Sequence, residues 1–163
     1  HEKLIHRAKP GHDNATPSGN GIAAYALQRL GHLIGEVRYL DSAERALRLY
    51  YPALARHPSA FVSLVTALEE HLAPPRIVIL RGATADLSAW QRALAQNYRP
   101  DIIAVALPAG LMDLPLVLDK PAPATGMVNA WVCQGVSCLP PVTDLGTLLQ
   151  TLDASHRLDK KVN

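Results

Sequence analysis

The sequence predicts a mixed α and β fold, with N-terminal helical hairpins followed by a small βαβ-type α/β unit. Three observations carry this expectation. Up to residue 72, apolar residues recur at three- and four-residue spacing, the period of a helix with one buried face. After Pro74-Pro75 come unbroken aliphatic runs, Arg76-Ile77-Val78-Ile79-Leu80-Arg81-Gly82 and Asp101-Ile102-Ile103-Ala104-Val105-Ala106-Leu107, which read as strands buried on both faces. One amphipathic stretch of helical length separates them, so the two strands are expected to run parallel through a right-handed crossover. The expected division is residues 1–73, helical, and 74–163, α/β.

Taken in order, the first sixteen residues read as a loop, because Lys9-Pro10-Gly11-His12-Asp13-Asn14 is dense in turn formers. Thr16 is expected to cap the first helix with Pro17 at its first position; Ala23, Ala26, Leu27, Leu30 and Ile34 form its apolar face, Gly21, Ala23, Ala24 and Ala26 let another helix approach closely, and Gly35 ends it. A second helix is expected over residues 42–51, with Ala43, Ala46, Leu47 and Tyr50 inward and Pro52 ending or kinking it. Pro58-Ser59 opens a third, carrying Phe61, Leu64, Val65 and Leu68 inward. Short connections imply antiparallel neighbours.

Past the first strand, Asp86 is expected to cap a helix bearing Leu87, Trp90, Leu94 and Tyr98. Residues 108–128 are irregular and rich in proline, with a turn of helix or a short strand near residues 114–118. Asn129-Ala130-Trp131-Val132-Cys133 is a third strand candidate. Thr143 caps a last helix through Leu145, Leu148, Leu149 and Leu152, and the polar tail from Ser155 is expected to fray.

Composition excludes several classes. The chain has 163 residues, 48% hydrophobic and 18% charged, enough to fill a core and too apolar for disorder. Net charge is +2, and Lys and Arg gather without acids only at the extreme end, so no nucleic-acid partner is expected. No apolar run is long enough to span a membrane, and the polar start is not a signal peptide. Two cysteines do not make a disulfide scaffold, which points to a cytoplasmic protein. The sequence begins at His1 rather than Met, in keeping with a carboxy-terminal piece of something longer.

Two segments carry a family resemblance: Asp13-Asn14-Ala15-Thr16-Pro17-Ser18-Gly19-Asn20, and Trp131-Val132-Cys133-Gln134-Gly135-Val136-Ser137-Cys138-Leu139-Pro140-Pro141-Val142-Thr143-Asp144. In this order and separation they resemble the C-terminal region of the YyaL-type proteins, the spermatogenesis-associated thioredoxin-like family. The resemblance implies a parent with a thioredoxin-like domain followed by a six-hairpin α/α toroid, a fold shared with sugar epimerases and some glycosidases. Residues 17–72 would be the last helices of the toroid, and residues 75–155 a terminal appendage. An exposed apolar helix face is then expected before residue 72, where earlier hairpins would pack; the implied partners are the parent's missing N-terminal domains, or a second copy covering that face.

The candidate site residues follow. Loops entering toroid helices line a cleft, so Asp13, Ser18 and Asn20 are candidates for binding a carbohydrate-like small molecule. The competing reading is local: Asp13 and Asn14 make turns while Thr16 and Ser18 cap. Sugar cleavage needs two spaced carboxylates, and only Asp13 is evident. Cys133 and Cys138 are redox candidates; their spacing is not that of a thioredoxin centre, and the plainer reading is two small buried side chains. Arg81-Gly82-Ala83-Thr84-Ala85-Asp86 lacks the glycines and lysine of a phosphate loop, and Arg81 is expected to be solvated. The histidines do not cluster at metal spacing, and no cofactor is expected. Trp90 and Trp131 read as core residues, and no Gly-x-Ser-x-Gly elbow is present.

Overall fold

The computed structural model describes residues 9–124 and 126–159, without the side chains of 155–159. Among these residues the mixed α/β expectation holds: five α-helices and a four-stranded mixed sheet. The chain divides into two compact units, His1–Pro74 and Pro75–Asn163.

The first unit contains α1 (Gly19–Ile34), α2 (Val37–Arg56) and α3 (Val62–Leu72), with a 3-10 turn over Pro58–Ala60. Three details of the sequence reading are corrected. Ser18, not Thr16, is the N-cap of α1, its hydroxyl facing the Gly21 N–H. The apolar face of α1 is rotated: Gly21, Ala24, Gln28 and Gly31 are buried and Leu27 packs against the core as expected, while Ala23, Ala26 and Leu30, expected inward, are exposed beside Ile22. The cause is close packing. A Cβ at Gly21 would collide with the Ser63 side chain, so the contact is made through small residues, Gly21 and Ala24 as expected, which a hydrophobicity pattern undervalues.

The second helix is also longer than expected, beginning at Val37 and continuing through Pro52. Leu40 extends it forward by seating against Gly31. Leu47 and Leu54, one on each side of Pro52, are buried in one cluster with Ala24, Ala43, Leu64 and Ala67. Burying two leucines contributes about 3–6 kcal/mol, which outweighs an interior proline's cost of about 3. Gly35 ends α1 in the left-handed conformation, as read from the sequence.

In the second unit, β1 (Arg76–Gly82) is buried along its whole length and pairs parallel with β2 (Ile102–Pro108). On its other side it pairs antiparallel with β3 (Val128–Gln134), which pairs with β4 (Ser137–Cys138), giving the order β2-β1-β3-β4. β4 was not foreseen, and β2 is a half-exposed edge rather than a strand buried on both faces. Helices α4 (Thr84–Ala95) and α5 (Leu145–Asp159) place Leu87, Leu94, Leu148 and Leu152 against Val78, Leu80, Ala130 and Val132. Trp131 is buried, and Trp90 packs at the edge of this core.

The caps of these two helices differ from the reading. Ala83 precedes α4 with no side-chain cap, and Asp86 lies inside the first turn. Asp144 rather than Thr143 caps α5, accepting the Thr147 N–H at 2.7 Å. Tyr98 falls beyond the end of α4 and is exposed. The stretch near residues 114–118 closes one helical turn, Asp119 N–H to the Pro115 carbonyl. The tail stays helical through Asp159; residues 1–8 and 160–163, also read as loop and tail, lie outside the described residues.

Candidate functional site

The loop before α1 is tied down by backbone groups first. The Asp13 N–H donates to the Ala60 carbonyl at 2.8 Å, and the Tyr50 hydroxyl donates to the Lys9 carbonyl at 3.0 Å. The Pro10 carbonyl accepts from Ser18 Oγ at 3.1 Å and from Asn20 Nδ2 at 2.8 Å. Ser18 and Asn20 are thus turned toward the loop's own backbone.

Asp13 is the centre of this arrangement. Its Oδ1 accepts the Ser18 N–H at 2.7 Å and the Ser63 hydroxyl, and its Oδ2 accepts the Ser63 N–H at 2.8 Å. Helix α3 starts behind Phe61, which offers no capping atom, so Asp13 caps it from a distant part of the chain. The Ser63 hydroxyl is the main cause that holds the Asp13 carboxyl below its usual range; the Ser18, Ser63 and Val62 N–H groups add to this, and desolvation opposes it. Sequence reasoning did not single out Ser63. The available signal was a helix start, Phe61-Val62, with no cap of its own.

Beside Asp13 lies an open groove of about 640 Å³ between α1 and α3, lined by Pro17, Ile22, Tyr25, Ser59, Val62 and Thr66 among others. Ser18 and Asn20 are not among its lining residues, and Asp13 is its one carboxylate among the described residues. A carboxylate that already accepts three hydrogen bonds stays ionised and holds no proton to give, which does not suit a general acid.

Two other polar groups are buried in the helical unit. Gln28 donates from Nε2 to the Ala67 carbonyl, and Arg29 Nε meets Glu70 Oε2, both at 2.8 Å. Burial raises the Glu70 carboxyl above its usual range, against the pull of Arg29.

In the α/β unit, Cys133 and Cys138 are cross-strand partners on β3 and β4 and are joined by a disulfide. Gly135, at φ 57°, opens the two-residue turn between them, a position that favours glycine. The plainer sequence reading, two buried thiols, is corrected: Cys133 is buried, Cys138 is exposed and neither is free. Arg81 is likewise buried, not solvated; its guanidinium reaches the carbonyls of Ala109 and Leu111 at 3.3–3.4 Å. Among the described residues no three His, Cys, Asp or Glu side chains gather as a metal site would require, and no helix is long and apolar enough to cross a membrane.

The chain is similar to human spermatogenesis-associated protein 20, with 26% identity over 144 residues. That match covers 85% of this chain, and the chain spans 18% of the human protein's length. No family model matches the chain, and no solved structure matches it.

Proposed function

We propose that this chain is a structural portion of a multidomain protein of the YyaL type, closing a helical assembly rather than carrying out a reaction alone. The outer face of α1 is the observation that carries this reading. Ile22, Ala23, Ala26 and Leu30 form an exposed apolar stripe opposite the buried face, with Ile22 at 49% and Leu30 at 40% exposure. A helix apolar on both sides is a helix meant to be covered on both sides. The human relative, more than five times the matched length, supports a larger context. On this reading residues 1–73 supply terminal toroid helices, 74–163 form the appendage, and the N-terminal domains of the parent cover α1.

The test is Leu30→Glu made twice, in the 163-residue chain and in the polypeptide as the cell produces it. In the isolated chain an exposed substitution changes stability by no more than about 0.5 kcal/mol. In the native polypeptide the same charge is buried unpaired, and the loss is several-fold larger. Equal, small effects in both settings contradict the proposal.

The groove beside Asp13 favours a second reading, an epimerase-like or other carbohydrate-active role with Asp13 accepting from a ligand hydroxyl. Ser18 and Asn20 would serve it indirectly, by holding the loop. A third, thiol exchange through Cys133 and Cys138, draws on the exposure of Cys138. Titration with simple sugars followed by chemical shifts at Ser59, Val62 and Thr66 separates the second reading from the first.

A further inference from the structure

The two edges of the sheet are built differently. At one edge β4 has only two residues and is tied by the Cys133–Cys138 disulfide. At the other, β2 runs seven residues, carries no charged side chain and has its one proline at the end. Short strands, lysines, interior prolines and bulges are the usual guards against edge pairing, and β2 has none of them.

Its hydrogen-bonding groups can be assigned. The Asp101 carbonyl accepts from the Arg76 N–H at 2.9 Å, and the Ala109 N–H donates to the Gly82 carbonyl at 2.8 Å, so odd-numbered residues face β1. Parallel pairing alternates, which turns the backbone groups of Ile102, Ala104, Ala106 and Pro108 outward. The Ile102 N–H is taken by the Arg99 carbonyl at 3.2 Å, and the Pro108 carbonyl by the Leu111 N–H at 3.0 Å. What stays open among the described residues is the Ile102 carbonyl and both backbone groups of Ala104 and Ala106.

We infer that β2 pairs antiparallel with β2 of a second copy of this chain, centred on Ala104. This set of groups is self-complementary about a two-fold axis. Each Ala104 N–H meets the other copy's Ala104 carbonyl, and each Ala106 N–H meets the other's Ile102 carbonyl. Every free donor on both edges is used. In this register each Ile102 side chain lies across from the small Ala106. The groove of about 400 Å³ beside Ile102 and Ala104, under α4, leaves room for the incoming strand on that face. The result is one continuous eight-stranded sheet.

Sedimentation equilibrium over a concentration series, paired with hydrogen exchange at the Ala104 and Ala106 amides, tests it. The expected result is an apparent mass that rises about twofold with concentration, with exchange at those two amides slowing in step. Ala104→Pro removes an outward N–H while leaving the β1–β2 ladder whole, and returns the chain to monomer with fast exchange at Ala106. Ala104→Lys keeps the N–H, adds a guard charge and also gives monomer, which covers the case where the proline variant fails to fold. The assignment is overturned if both amides exchange freely at every concentration, or are equally protected at every dilution. It is also overturned if a dimer persists unchanged in both variants, since another surface then joins the copies. Protection that needs an added extended peptide and ignores concentration overturns it too, in favour of a foreign strand.

Discussion

Helix α3 begins at Val62 behind Phe61, whose side chain cannot accept an N–H, and the missing acceptor comes from Asp13, fifty residues earlier. That one carboxylate joins the loop, the start of α1 and the start of α3. Asp13→Ala is expected to cost about 1–2 kcal/mol in denaturant unfolding at neutral pH, the scale of a lost cap. Folding lowers the Asp13 carboxyl pKa, chiefly through the Ser63 hydroxyl. The anion's contribution is therefore complete above the unfolded pKa and disappears as pH falls through the folded one. The gap between wild type and Asp13→Ala narrows in acid; a gap of constant size down to the lowest pH at which the chain folds would count against the capping role. Asp13, Ser18 and Asn20 were visible as polar residues at a helix entrance. Their partners were not, because Ser63 and Ala60 come together with them only through tertiary packing. Periodicity has no means of pairing residues so far apart.

Among the elements, β1 was legible because a strand buried on both faces needs the unbroken aliphatic run it has. The same argument misread β2, since an equally aliphatic run can serve as an edge. The contact face of α1 was read only in part: Gly21 and Ala24 were visible as small residues that admit a neighbouring helix, while hydrophobic patterning also picked out Leu30, which is exposed, and passed over Gln28 and Gly31. Helix α2 shows packing overriding propensity, because Leu47 and Leu54 hold it together across an exposed Pro52. Pro52→Ala restores one helical hydrogen bond and is expected to stabilise the chain by about 1–3 kcal/mol in denaturant unfolding. No gain would mean that α2 is already broken at that point in solution. The β3–β4 hairpin depends on a bridge between residues five apart. Reducing it is expected to cost about 2 kcal/mol, the entropy of a short closed loop, as read by unfolding with and without a reductant. An unchanged midpoint would show that the hairpin does not need the bond.

At the scale of the whole molecule, the chain has a separate core in each of its two units. It nevertheless leaves one helix unfinished. An exposed apolar helix face before residue 72 was expected; on α1 it is formed by Ile22, which had not been placed, and by Ala23, Ala26 and Leu30, which had been assigned inward. The most direct measurement is carbene footprinting of Ile22 and Leu30, carried out on the isolated 163-residue chain and on the polypeptide isolated from its own cells. A structural portion of a larger protein predicts strong labelling of both side chains in the isolated chain and protection of both in the native polypeptide. Equal labelling in the two would mean that nothing covers α1, and would contradict the proposal.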